Sequence, residues 1–136
     1  MTPIYCELVA DDRRVQHAAT LFGLDFPLRL EPCVFGMASR LSSTYDGGYW
    51  LFHSLSNGGY YMSPDGPSTF AVVCENGFSS SVSADAFGLT VCLYAYSHLS
   101  SACADGLGER CSQHYHLLRD FALEHAESDA ILRAID

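Results

Sequence analysis

The sequence predicts an α+β fold in which a single domain, residues 1–136, holds an antiparallel three- to four-stranded meander flanked by N- and C-terminal helices. Segments rich in aromatic and β-branched residues occupy the middle of the chain, and helical periodicity occupies both ends. The connections between the strand segments are too short for the crossovers that parallel strands require. A length of 136 residues and an apolar fraction of 49% suit one hydrophobic core.

Two helices are predicted before the strands. Asp11 or Asp12 can cap the first helix, which Gly23 is placed to end. Glu31-Pro32 begins the second helix, because proline is tolerated in a first helical turn. In the second helix apolar residues recur three and four positions apart, which predicts one buried stripe: Val34, Met37, Ala38 and Leu41.

The middle of the chain predicts a β-hairpin followed by further strands. The hairpin arms are residues 49–55 and 60–62, and Asn57-Gly58 supplies the left-handed backbone that a tight reversal requires. A third strand is expected at 69–74, and a short fourth strand at 78–82, because turn signals separate these segments.

The remainder of the chain is predicted to be helical. Ser83 can cap a long helix in which Gly88 is the weak point. Gly106-Leu107-Gly108 is expected to interrupt the helical structure before a further helix at 109–125. Ser128 is expected to cap a short terminal helix.

The charge balance limits the partners that the protein can have. Sixteen carboxylates oppose seven basic residues, all of them arginine, which gives a net charge of -9. We expect no binding to nucleic acid, since that binding requires cations that neutralise phosphates. Strong mimicry of DNA is also disfavoured, because a duplex as long as the protein carries on the order of 20 charges.

The chain also lacks the signals of a membrane or secreted protein. No apolar run approaches the roughly 20 residues that span a bilayer, so we expect no membrane partner. The first residues contain neither a basic leader nor an apolar signal segment, which predicts a cytoplasmic protein. In a reducing cytoplasm the six cysteines are expected to be free thiols, and none forms a Cys-x-x-Cys motif.

Histidines and cysteines crowd the stretch around Cys111 and His114, so a metal site has to be considered. The spacing lacks the paired knuckle of a zinc site, and packing is the simpler interpretation. The sequence contains no Gly-x-Ser-x-Gly elbow and no cysteine-protease signature. We therefore predict no catalytic residue, no metal ligand and no cofactor.

Three blocks of the chain resemble the antirestriction proteins of the ArdB/KlcA type. Residues 45–64, YDGGYWLFHSLSNGGYYMSP, are similar to the central motif of that family, and residues 83–89, SADAFGL, to its strand-to-helix passage. Residues 115–125, YHLLRDFALEH, followed by residues 130–136, are similar to its C-terminal end. Shorter and weaker similarities lie near the start of the chain, at 21–23 and 40–42.

The resemblance implies a non-enzymatic, plasmid-type protein that protects incoming plasmid or phage DNA from type I restriction enzymes. It implies as partner a type I restriction enzyme or another host protein. A protein-binding regulatory module in plasmid maintenance is the alternative, and a small enzyme that uses a cysteine or histidine is a further one. Residue patterns leave the oligomeric state open.

Two surfaces are candidates for contact with a partner protein. One is an aromatic patch on the hairpin with polar residues at the ends of its first arm, and the other is a carboxylate stripe beside the apolar arc of the helix at 109–125. Their residues are Asp46, Tyr49, Asn57, Tyr60 and Tyr61 on the hairpin, and Asp120, Glu124 and Glu127 on the stripe. For the stripe a solvated helix face is the favoured interpretation, whereas for the tyrosines burial and exposure both stay open.

Overall fold

The computed structural model describes residues 2–136 and places five antiparallel strands among five α-helices. In chain order the elements are β1 (Cys6–Leu8), α1 (Arg14–Phe22), a π-helical turn (Phe26–Leu30), α2 (Glu31–Leu41), β2 (Trp50–Leu55), β3 (Tyr60–Pro64), β4 (Thr69–Val73), β5 (Ser79–Ser83), α3 (Ala84–Ala102), α4 (Gly106–Ala122) and α5 (Ser128–Ile135). The predicted α+β class is confirmed.

The strands form two antiparallel sheets, and the predicted meander divides after β3. The first sheet has the order β1-β2-β3, and β4 pairs only with β5. The reason lies at the free edge of β3, where α3 supplies the hydrogen-bonding groups that a fourth strand would offer. Tyr96 Oη donates to the carbonyl of Tyr60 at 2.7 Å, and Cys92 Sγ lies 3.4 Å from the amide nitrogen of Met62.

β1 is a strand that sequence patterns do not predict. It pairs with β2 so that Leu8 lies opposite His53, and all three of its residues are exposed. A strand of three residues is too short for the alternation between apolar and polar positions, over about four to eight residues, that identifies strands in a sequence.

The helices before the hairpin confirm part of the prediction. Gly23 ends α1 with a φ of 60°, and α2 buries the predicted stripe. The predicted cap of α1 is wrong, because Arg13 occupies the cap position and no side chain bonds there. Asp11 instead accepts a hydrogen bond from Tyr49 Oη at 2.7 Å, which ties the segment before α1 to the segment before β2.

The long helix α3 is the central element, and most of its residues are buried. Ser83 caps it as predicted, with its Oγ accepting from the amide of Ala86 at 3.1 Å. Gly88 is the point of closest approach between α3 and the hairpin. A Cβ at this position would lie 2.3 Å from the carbonyl oxygen of Met62 and 2.5 Å from Ser63 Cα, so only glycine fits.

The last two helices begin elsewhere than predicted. Gly106-Leu107-Gly108 forms the first turn of α4, because Asp105 caps the helix by accepting from the amide of Leu107 at 3.2 Å. α4 ends at Ala122, and α5 starts at Ser128 with no side-chain cap.

The hairpin lies inside the core. Trp50 and Phe52 expose only 2% and 4% of their surface, so β2 is covered by the rest of the fold. Phe87 of α3 and Phe35 of α2 pack against the Trp50 indole. Across residues 2–136, none of the helices has the length and apolar character needed to span a bilayer.

Candidate functional site

The predicted aromatic patch on the hairpin does not form, because two of its three tyrosines are buried. Tyr60 and Tyr61 each expose 1% of their surface. Tyr60 packs against Phe22 on one side of the hairpin, and Tyr61 lies near Phe121 on the other. Helical residues thus cover both faces of the strand pair, so alternation leaves neither tyrosine exposed. Both are corrected from candidate contacts to core residues.

Tyr49 and Asp46 stay at the surface. Tyr49 precedes β2 and exposes 51% of its surface, and Asp46 is exposed in the loop before it. Arg14 donates to Tyr49 Oη at 2.5 Å and places its guanidinium over the rings of Tyr49 and Phe52. Of the predicted patch, these two residues are the exposed ones, and Asn57 is half-buried.

Asn57 serves the hairpin turn. Its Oδ1 accepts from the amide of Gly59 at 2.9 Å, and its Nδ2 donates to the carbonyl of Leu117 at 2.9 Å. Gly58 supplies the predicted left-handed backbone with a φ of 92°. Asn57 therefore fixes the turn and attaches it to α4, which gives the residue a structural role.

The predicted carboxylate stripe is not continuous, because α4 ends before two of its three members. Asp120 is exposed on α4, and Glu124 lies beyond the helix, where Oε1 accepts from the amide of Ile4 at 3.2 Å. Glu127 accepts hydrogen bonds from both the amide and the hydroxyl of Ser83. Glu127 thus anchors the junction of β5 and α3 and is corrected from a surface contact to a structural residue.

A cluster of polar side chains surrounds Asp85 in the first turn of α3. Tyr61 Oη donates to Asp85 Oδ1 at 2.7 Å, and His125 Nε2 lies 2.8 Å from Asp85 Oδ2. His53 Nε2 lies 3.9 Å from Asp85 Oδ1 and 2.8 Å from Ser63 Oγ. We call this group the Asp85 cluster, and its members are Cys6, His53, Tyr61, Ser63, Asp85 and His125.

The surroundings of the Asp85 cluster set its protonation. Burial opposes the charge of Asp85, but hydrogen bonds from His125 and Tyr61 outweigh burial and lower the pKa of this carboxyl. Burial lowers the pKa of His53, although Asp85 acts in the opposite direction. The amide of Glu127 donates to His125 Nδ1 at 2.9 Å, so the proton of the neutral His125 imidazole resides on Nε2 and points to Asp85.

The cluster contains a cysteine beside a histidine, which is the pair that a cysteine nucleophile requires. Cys6 Sγ lies 3.7 Å from His53 Nδ1 and 3.7 Å from Tyr61 Oη. Burial raises the pKa of the Cys6 thiol, and the nucleophilic species is the thiolate. The neutral Cys6 thiol and the neutral His53 imidazole therefore act as polar contacts that connect β1, the hairpin and α3.

Sequence reasoning did not identify this cluster, although a signal was present. His53, Tyr61 and Ser63 belong to the block 45–64, Asp85 to the block 83–89, and His125 closes the block 115–125. The three blocks meet at one point of the fold, so the strongest motifs of the sequence converge on one polar cluster, in which His53 is buried and 43% of the Asp85 side chain is exposed.

Cys111 and His114, the centre of the stretch considered as a metal site, lie in the core. Cys111 is fully buried, and the ring of His114 packs 4.8 Å from that of Phe22 and 5.6 Å from that of Tyr96. Burial and the neighbouring Arg110 lower the pKa of His114 to about 4. Within residues 2–136, no three His, Cys, Asp or Glu side chains are grouped so that they could hold a metal ion.

Comparison with known proteins connects the whole chain to one family. Residues 43–136 match the family model described as antirestriction protein. An antirestriction protein KlcA from Escherichia coli is 42% identical, in an alignment that covers 99% of this chain and 95% of that protein. The uncharacterized protein YafX of Escherichia coli K12 is also 42% identical, over 94% of this chain and 85% of its own length.

A solved structure has the same fold. It comes from a structural study of the KlcA and ArdB proteins. Those proteins show a novel fold and antirestriction activity against type I DNA restriction systems in vivo but not in vitro. It superposes with a TM-score of 0.91 at 38% sequence identity and covers 99% of this chain and 96% of that one.

Proposed function

This chain belongs to the antirestriction protein family, and from that membership we propose that it protects incoming plasmid or phage DNA from type I restriction enzymes inside the cell. The observation that carries the proposal is the similarity to KlcA, 42% identity over 99% of this chain. The fold shared with the KlcA and ArdB proteins supports it, since those proteins act against type I systems in vivo.

We propose further that protection is non-enzymatic and is mediated by contact with a protein. The raised pKa of the Cys6 thiol argues against a cysteine nucleophile in the Asp85 cluster. The net charge of -9 favours a basic protein surface as partner over nucleic acid. The partner would be a type I restriction enzyme or another host protein, and restriction of incoming DNA would place the encounter in the cytoplasm.

We also propose that residues 1–136 act as one antirestriction-type domain. One cluster of buried hydrophobic residues extends from Ala18 of α1 to Ala134 of α5, which supports a single core. The Asp85 cluster adds polar links between β1, the hairpin, α3 and the segment after α4.

The test is restriction of phage in a bacterium that carries an active type I system. Production of this protein should raise the plating efficiency of unmodified phage, while modification of DNA by the same system should change less or not at all. Pre-modified phage and a strain without restriction are the controls, and plating on them should stay constant. Unchanged plating with several type I systems, with folded protein confirmed in the cells, would leave the binding module in plasmid maintenance as the better hypothesis.

Charge reversal separates two kinds of contact. Asp120→Lys and Glu124→Lys change exposed carboxylates, whereas Glu127 is left intact because it anchors Ser83. Loss of protection in the folded double variant would indicate an electrostatic contact at the end of α4. Retained protection would move the contact to another surface of the molecule.

A further inference from the structure

An apolar groove opens between α1, the π-helical turn and β2. Its volume is about 470 Å³, and its lining includes Val15, Ala19, Leu24, Pro27 and Phe52. The small side chains on α1 create the depression. Phe52 of the hairpin forms part of its lining. We call it the α1 groove.

The lining of the α1 groove contains large hydrophobic side chains that are exposed rather than packed in the core. Val15 exposes 81% and Leu24 exposes 77% of its surface, and the nearby Leu28 exposes 70%. These three are the most exposed of the large hydrophobic residues in the part of the chain that the structure describes. Apolar patches of this kind on a protein surface mark sites of interaction.

The two charged residues that line the α1 groove differ in their partners. Arg14 is engaged, since its guanidinium lies 3.9 Å from the centre of the Phe52 ring and bonds to Tyr49 Oη. The Glu31 carboxylate has neither an ion pair nor a side-chain hydrogen bond with any residue from 2 to 136. Burial raises the pKa of Glu31, and the charge of Arg14 opposes that effect.

A partly buried carboxylate without a partner, beside an exposed apolar surface, defines the chemistry of what binds there. A cationic side chain would add a charge-assisted hydrogen bond to the Glu31 carboxylate, and apolar side chains would cover Val15 and Leu24. We propose that the α1 groove is the docking site for a short segment of the partner protein that carries apolar anchor residues and one arginine or lysine.

This partner is favoured over a second copy of the chain or a membrane. A second copy would bring another net charge of -9 to the same surface, and an anionic lipid surface would repel the chain for the same reason. The inference rests on the proposed function in one respect, since the segment would belong to the protein through which restriction is blocked.

A direct binding experiment tests the groove independently of restriction. The probes are two fluorescein-labelled synthetic helical peptides that share a leucine-rich face and differ in one residue, arginine in one and glutamate in the other. The arginine peptide should bind the purified full-length protein about tenfold more tightly, and Glu31→Gln should remove most of that preference. Val15→Asp and Leu24→Glu should abolish binding of both peptides.

Matched control variants carry the same change on other exposed hydrophobic residues. Val73 and Leu123 expose 63% and 50% of their surface away from the α1 groove, so Val73→Asp and Leu123→Glu should bind the peptides as the unchanged protein does. Thermal unfolding confirms that all variants are folded. Equal affinity for the two peptides, or binding that the groove variants leave unchanged, would overturn the proposal.

Phage plating then connects the groove to protection. Val15→Asp and Leu24→Glu should lose protection, and Val73→Asp and Leu123→Glu should retain it. Full protection by the groove variants would overturn the proposed role of the groove. If the unchanged protein does not protect, the proposed function fails, and the peptide experiment still decides the groove. A concentration-dependent dimer that Val15→Asp dissolves would assign the groove to a second copy and overturn the assignment to a basic segment.

Discussion

His114 shows how one buried imidazole can make stability depend on pH. It exposes 7% of its surface, packs against Phe22 and Tyr96, and has a pKa lowered to about 4 by burial and by Arg110. The folded protein therefore holds His114 neutral, whereas an unfolded chain protonates it below pH of about 6.5. This contribution to stability is present above that pH and is lost as pH falls toward 4.

We predict that the free energy of unfolding decreases on this account by roughly 2 to 3 kcal/mol between pH 7 and pH 4.5. His53, whose pKa burial also lowers, acts in the same direction. Urea unfolding of His114→Leu should show a smaller decrease, because leucine fills the site without a titrating group. His116 is exposed, so His116→Leu should keep the original pH dependence. Identical slopes for His114→Leu and the unchanged protein would contradict the prediction.

The residues that sequence reasoning placed correctly carry local signals. The cap of Ser83 on α3 and the stop of Gly23 after α1 follow from the chemistry of one or two neighbouring residues. Tyr60 and Tyr61 could not be placed in this way. Their burial depends on helices distant in sequence, which cover both faces of the hairpin.

At the scale of elements, α3 lies very close to the hairpin at Gly88. Gly88 lies in the middle of a helix, where alanine is normally preferred by roughly 0.5 to 1 kcal/mol. The Cβ of an alanine at this position would lie 2.3 Å from the carbonyl oxygen of Met62. A carbonyl within a paired strand cannot move aside freely. The local preference and the packing therefore act in opposite directions at this residue.

We predict that packing dominates and that Gly88→Ala lowers the free energy of unfolding by about 1 to 3 kcal/mol or more. Gly36 in α2 is the matched control, because a Cβ there has no neighbour within 4 Å. Gly36→Ala should stabilise the protein by about 0.4 to 1 kcal/mol. Urea unfolding of both variants gives the comparison, and equal effects of the two substitutions would show that α3 and β3 can separate without cost.

Helices and strands are predicted well from the sequence where their own residues determine their structure. They are predicted poorly where a neighbouring element determines it. The hairpin, α2 and α3 follow from turn chemistry and periodicity. β1 exists because β2 offers an unpaired edge, and the sheet stops at β3 because Tyr96 and Cys92 of α3 occupy the other edge. Neither cause is visible in the segment that it affects.

At the scale of the molecule, motifs that are separate in sequence share a structural purpose. The Asp85 cluster draws one side chain from β1, one from α3, one from the turn after α4 and three from the hairpin. Of the candidate contact residues, four are exposed: Asp46, Tyr49, Asp120 and Glu124. The other four make contacts that hold the fold together: Asn57, Tyr60, Tyr61 and Glu127. The blocks that identify the family thus contain residues that hold the fold together, which is why motif reasoning predicted the family and not the contact surface.

The distribution of charge supports a last prediction, which concerns DNA. Five of the seven arginines lie within 4.0 Å of a carboxylate oxygen: Arg14, Arg29, Arg40, Arg110 and Arg133. Only Arg13 and Arg119 are left without such a carboxylate among residues 2–136, and two cations against a net charge of -9 do not form a phosphate-binding surface.

We therefore predict that the purified protein binds an unrelated DNA duplex more weakly than about 100 µM at roughly 0.15 M salt, which is the weak end of nonspecific binding. Fluorescence anisotropy of a labelled duplex measures this, with a basic DNA-binding protein as positive control. Asp25→Asn gives an internal comparison, because Asp25 pairs with both Arg29 and Arg110 and its neutralisation frees positive charge. Binding by the unchanged protein tighter than about 1 µM at this salt would mean that its arginines act together despite their carboxylate partners, and protection from restriction would then have to be explained through the DNA.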